Sequence, residues 1–220
     1  MGILSLERLA STLARLVVWC TAIPLHESAH GLVSYWLGDP TAKEAGRITL
    51  NPLKHLDGTG MIALLIVGIG WAKPVPINVS YYKNRKLGMA LSALAGPVSN
   101  LLLAFMMMII LKMVLMTIGA VGISREAGNF IITVLYMMCA TNVMLSIFNM
   151  LPFPPFDGSR IYLIALPERW YFGIMKYERI MMAVVFLLLM TGILDPVLSF
   201  ASNSVIDFLD LVTSSLGRLF

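Results

Sequence analysis

Two stretches of this chain, 88–111 and 130–151, run for more than twenty residues without an aspartate, glutamate, lysine or arginine. A helix of about 20 apolar residues crosses the hydrocarbon core of a bilayer. Inside hydrocarbon each backbone N–H and C=O must find its partner within the protein, and a helix supplies those partners from the segment itself. Composition agrees: of 220 residues, 58% are hydrophobic and 13% charged, against about 45–50% and about 25% in soluble domains. A fold this small leaves much of its surface exposed, so water is not its only solvent. The chain reads as an integral membrane protein. The same figures exclude disordered, collagen-like and disulfide-scaffold classes. Cys20 and Cys139 both lie inside apolar runs, which leaves neither a disulfide framework nor a cysteine zinc cluster. No removable signal peptide is expected, because Glu7 and Arg8 precede the first long apolar segment and no small-residue cleavage site follows it.

The expected fold class is all-α integral membrane: one polytopic domain over 1–220, with a motif-bearing core at about 12–160. About four spans are expected. The first runs from about Leu13 to Leu37 and is stopped by Gly38-Asp39-Pro40. The second runs from about Gly88 to Leu111 with Gly96-Pro97 near its start. The third, about Phe130 to Leu151, stops at a turn carrying Pro152, Pro154, Pro155 and Gly158, which no regular helix accommodates. The fourth runs from about Ile180 to Leu194. Residues 61–71 are apolar but too few to span, so a re-entrant or interfacial segment is expected there. Residues 47–50 read as β-like, and the tail from Phe200 as an amphipathic helix on or in the membrane.

The net charge of +4 does not point to nucleic acid, because the basic residues sit between apolar runs rather than in one stripe. Seven lie between spans one and two (Lys43, Arg47, Lys54, Lys73, Lys83, Arg85, Lys86) and four between spans three and four (Arg160, Arg169, Lys176, Arg179), against five elsewhere. By the positive-inside bias these two segments face the cytoplasm. His26, His30 and Asp157 then arrive on the same side of a cell membrane.

His26 and His30 are four residues apart on a predicted helix, so both imidazoles share one face and can hold one Zn²⁺. Glu27 follows the first histidine and points about 100° round the helix, where it can serve as a general base. Ionisable residues at membrane depth are costly and mark function. A catalytic zinc takes three protein ligands, and the third candidates are His55, Asp57 and Asp157. Asp157 is favoured by its side of the bilayer and by the rigid turn that carries it.

Several blocks resemble the site-2 protease family of intramembrane zinc metalloproteases. They are Ile23-Pro-Leu-His26-Glu27-Ser-Ala-His30-Gly31, Gly46 to His55, Gly70 to Pro76, Ala95-Gly96-Pro97-Val-Ser-Asn100 and Phe148-Asn149 through Asp157-Gly158. The resemblance extends from Ile23 to Arg160. It implies an endopeptidase acting within or beside a transmembrane segment of a protein substrate. It further implies one zinc ion per chain on His26, His30 and Asp157, with Glu27 as base. Asn149 matches a family asparagine that binds substrate or the oxyanion, and Gly96 and Asn100 match a G-x-x-x-N helix-packing element. Gly58 stands where many relatives have proline, and Ser159 where many have a second glycine. A metal transporter is the rival reading, and an inactive relative that binds transmembrane helices is another. A serine protease is disfavoured by the lack of a Gly-x-Ser-x-Gly turn.

Overall fold

The computed structural model describes residues 6–60, 72–119 and 121–216, and these are helical apart from turns and loops. The helices are α1 (Leu6–Trp36), α2 (Thr41–Glu44), α3 (Arg85–Thr117), α4 (Arg125–Asn149), α5 (Asp157–Tyr162), α6 (Glu168–Met175), α7 (Glu178–Met190) and α8 (Asp195–Leu216). Their ends follow local chemistry. The Asn84 side chain accepts from the Leu87 N–H and starts α3, and Ser124 accepts from the Ala127 N–H and starts α4. Pro24 and Pro97 lie inside α1 and α3 without ending them. Helix α4 ends at Asn149, three residues before Pro152 opens the proline turn, which contains a cis Pro154–Pro155 bond.

Helices α1, α3 and α4 pack on one another. Val18 and Ala22 of α1 meet Leu103 of α3 and Met138 of α4 in one apolar cluster. Ala104, Met108 and Leu111 of α3 meet Cys139 and Val143 of α4 and Leu209 of α8 in another. Small residues at these contacts (Ala22, Ala104, Cys139) let the backbones approach closely, which is how helices associate where lipid is the solvent.

By length and apolarity, α3 and α4 can each cross a membrane. A third crossing exists only if 180–190 and 195–215, bent by 85°, are taken as one span. Among the described residues the expected count of four is therefore not confirmed. The fourth span is interrupted at Thr191–Leu194, where Gly192 takes a positive φ of 69°. The tail is one helix from Asp195. It packs against α4 and α3 through buried Leu209, and Lys112 of α3 lies 2.9 Å from Asp210.

The β-like reading of 47–50 is corrected. Among the described residues there is no strand, only one antiparallel bridge between Leu56 and Ala72. The Thr49 backbone is satisfied by side chains instead. Its N–H donates to Ser28 Oγ, and its carbonyl accepts from Ser28 Oγ at 2.6 Å and from His55 Nε2 at 2.8 Å. The expected re-entrant segment at 61–71 lies outside the described residues.

Candidate metal centre

Helix α1 presents His26 and His30 one turn apart, and the proline turn returns Asp157 to them. The two Nε2 atoms are 2.9 Å apart, and Asp157 Oδ2 lies 3.2 Å from the first and 3.3 Å from the second. All three side chains are largely buried. Among the described residues this is the one group of three His, Cys, Asp or Glu side chains close enough to share an ion.

The neighbours explain how so tight a cluster is packed. A Cβ on Gly96 of α3 would lie 2.4 Å from His30 Nε2 and 2.5 Å from His26 Cε1, so the two rings occupy the space a side chain would need. A Cβ on Gly158 would lie 2.3 Å from the Met150 carbonyl oxygen, which is why the turn folds back on the end of α4 only with glycine there. Phe148 stacks edge-to-face on Phe156 at 4.4 Å and pins that return. Ser159, one of the two departures from the family pattern, is buried and donates to the Phe156 carbonyl at 2.6 Å.

His30 Nδ1–H donates to the Ser92 carbonyl of α3 at 2.7 Å, which leaves the Nε2 lone pair facing the cluster. Asp157 Oδ2 is buried and has no hydrogen-bond partner among the described residues. Two imidazole nitrogens and a carboxylate oxygen converge with no hydrogen bond donated to that oxygen. A tetrahedral zinc with ligands at about 2.0–2.1 Å holds them about 3.3–3.4 Å apart. The two Nε2–Oδ2 separations match that spacing, and the Nε2–Nε2 distance of 2.9 Å is shorter than it.

Glu27 is turned away from the histidine face. Its Oε2 accepts from the Val75 N–H at 2.9 Å, and its carboxylate lies within electrostatic range of His30. Val75 belongs to an extended strap, 72–78, that is fastened along its length. The Lys73 N–H donates to the His55 carbonyl, the Lys73 carbonyl accepts from Arg47 Nη2, and the Asn78 N–H donates to Asp39 Oδ2 at 2.7 Å. Asp39 also accepts from the Ser34 hydroxyl and the Thr41 N–H. Four positions that sequence reasoning passed over as site parts therefore support it: Ser92 and Val75 bond His30 and Glu27, and Arg47 and Asp39 hold the strap. Two of them act through backbone atoms, which leave no mark in side-chain identity.

The remaining candidates lie elsewhere. His55 is fully buried and holds Thr49, and Asp57 Oδ1 accepts from the Thr59 and Gly60 N–H groups, so neither joins the cluster. Asn149 donates to the Leu145 carbonyl of its own helix at 3.0 Å. Asn100 is buried one turn beyond Gly96.

A membrane-type helical bundle enclosing a buried His₂-carboxylate cluster defines a metalloprotein class. Residues 14–192 match Peptidase family M50, the site-2 protease family, and the chain belongs to it. It is 44% identical over 137 residues to the "Putative zinc metalloprotease YwhC" of Bacillus subtilis strain 168, covering 62% of each chain. It is 28% identical over 149 residues to the "Putative zinc metalloprotease Rip2" of Mycolicibacterium smegmatis, covering 64% of this chain and 52% of that one. The matches thus span less than two thirds of the length of either relative. No solved structure matches the chain.

Proposed function

We infer that this chain is an intramembrane zinc endopeptidase that cleaves a protein substrate within or beside a transmembrane segment. The observation that carries the reading is the convergence of His26, His30 and Asp157, from helices far apart in sequence, with one ligand atom of each within reach of a single ion. Family membership supports the same reaction class. These three residues would hold the zinc, one ion per chain. When bound, zinc supplies Lewis acidity that polarises a scissile carbonyl and makes water a better acid.

Glu27 takes the proton from the attacking water and returns it to the leaving amine. The Val75 N–H holds one of its oxygens, which fixes the carboxylate and leaves the other to move the proton. Asn149 closes α4 beside the turn that carries Asp157 and donates to the oxyanion after releasing the Leu145 carbonyl. The buried walls exclude bulk water around the reacting groups. The lipid bilayer delivers the substrate helix, and the catalytic cluster lies towards the cytoplasmic side. A transporter reading needs further intramembrane ligands along a path, and no second cluster supports one among the described residues.

The test is a cleavage assay on a model transmembrane substrate alongside metal analysis of the purified chain. Glu27→Gln should abolish cleavage and keep zinc near one per chain. His26→Ala and Asp157→Ala should lower both. Full cleavage by Glu27→Gln, or full zinc occupancy in Asp157→Ala, would overturn the assignment.

A further inference from the structure

His55 lies outside the metal centre, yet it is fully buried, at 0% exposure. Its ring and its main chain hold different partners. The ring Nε2–H donates to the Thr49 carbonyl at 2.8 Å, and the His55 carbonyl accepts from the Lys73 N–H at 2.8 Å. Each partner leads back to Glu27 by its own route. Thr49 is bonded through both its N–H and its carbonyl to Ser28 Oγ, at 3.1 and 2.6 Å, and Ser28 follows Glu27 on α1. Lys73 lies two residues before Val75, whose N–H donates to Glu27 Oε2 at 2.9 Å. The links close a ring that leaves α1 at Ser28, passes through Thr49, His55, Lys73 and Val75, and returns to α1 at Glu27.

Packing supports the same ring. A Cβ on Gly31, one turn past Glu27, would lie 3.3 Å from both Ile48 Cγ1 and Val75 Cγ1, so residues from both limbs rest on one turn of α1. The Lys73 peptide is gripped on two sides, its N–H by His55 and its carbonyl by Arg47 Nη2 at 2.6 Å. Both grips come from the segment that Thr49 anchors to α1. The ring nitrogen of His55 is not what satisfies Thr49, because the Thr49 carbonyl already accepts from Ser28. His55 Nδ1 is itself buried with no partner among the described residues. An apolar side chain of similar size would strand no acceptor and would remove one buried polar atom, which is close to neutral for the fold. What a histidine adds over a leucine here is position.

We propose that His55 is a positioning residue for Glu27. Its ring fastens the 49–55 loop, and through the Lys73 N–H that loop sets where the Val75 N–H meets the Glu27 carboxylate. The proposal rests on Glu27 being the base, and the first readout below needs neither zinc nor substrate.

The experiment measures amide hydrogen exchange along the strap in the full, metal-free chain in bilayers. It then measures kcat and KM on a model transmembrane substrate with the zinc-loaded chain. His55→Leu should speed exchange of the Lys73 and Val75 amides about tenfold while the amides of α3 and α4 and the unfolding midpoint stay as in wild type. Its kcat should fall about tenfold, with KM and zinc content unchanged, the pattern of an interaction that matters only in the transition state. His55→Gln, whose amide N–H reaches about as far as the ring Nε2, should restore both readouts. His55→Asn, polar but too short to reach Thr49, should behave as Leu does and keeps the test usable where the leucine variant fails to fold. Unchanged strap exchange in the Leu and Asn variants, or exchange that rises throughout the bundle in both, would overturn the proposal. A Gln variant as impaired as Leu would do the same. A loosened strap with undiminished kcat would also overturn it where Glu27→Gln is inactive. Where Glu27→Gln cleaves normally, that same result would sink the base reading alone.

Discussion

At the scale of single residues, the candidate site depends on atoms that are missing as much as on those present. Gly96 is helical and needs no unusual backbone, so its requirement is purely one of space. Gly96→Ala places a methyl group within 2.5 Å of both imidazoles, and either α3 moves off α1 or the rings rotate out of register with Asp157. Overpacking of this kind costs about 1–3 kcal/mol. Thermal unfolding in detergent should show the loss, and zinc content should fall with it. A Gly96→Ala chain that keeps full zinc and its unfolding midpoint would show that the rings do not need the space. The His26, Glu27 and His30 pattern was legible because helical spacing alone puts the two imidazoles on one face. Asp157 was legible only through its side of the bilayer and its turn. Val75 and Ser92 could not be read, because the groups they contribute are a main-chain N–H and a carbonyl that any residue carries.

At the scale of elements, the strap 72–78 shows how a loop without regular hydrogen bonding is held in place against the Glu27 carboxylate. Asp39, fully buried just beyond α1, accepts from Ser34, Thr41 and the Asn78 N–H and so ties the end of the helix to the strap. Burial pushes its acidity down, but the hydrogen bonds from Thr41, Asn78 and Ser34 outweigh that, and its pKa lies below the ordinary aspartate value of 3.8. A carboxyl with a lowered folded pKa adds stability that is fully present above the unfolded value and is lost as pH falls through the folded one. Wild type should therefore unfold at a higher temperature than Asp39→Asn near neutral pH, with the gap closing below about pH 4. A constant gap across that range would show that the charge is not what holds the strap. Asp39→Ala leaves buried donors without an acceptor, at about 1–3 kcal/mol for each group stranded. It should also lower the turnover of a model substrate, because Asn78 lies three residues from Val75 and hence from Glu27. Residues 47–50 read as β-like from Ile-Thr-Leu, and they form no strand. Alternation of side chains could not reveal that the hydroxyl of Ser28 had already claimed the Thr49 backbone.

At the scale of the whole molecule, orientation follows from where the basic segments lie relative to the bundle ends. Lys86, at the start of α3, donates to the Leu166 carbonyl, and Asp157 meets the histidines of α1, so both lysine- and arginine-rich segments gather at one end. The link between α3 and α4 lies at the other, with Val121 exposed there. The span count was the weaker reading, because hydropathy windows do not register the turn at Gly192 that divides the last apolar stretch. The charge bias is insensitive to that error, since it depends on the two ends of α3 and α4, which qualify as crossings on their own. In a background of Cys20→Ser and Cys139→Ser, Val121→Cys should react with a membrane-impermeant maleimide on intact cells. Lys83→Cys, exposed beside the strap, should react only after the membrane is opened. The reverse pattern would place the strap and its Glu27 contact outside the cell. The positive-inside argument would then fail for this chain, while the cluster of His26, His30 and Asp157 would be untouched, because its geometry is internal to the bundle.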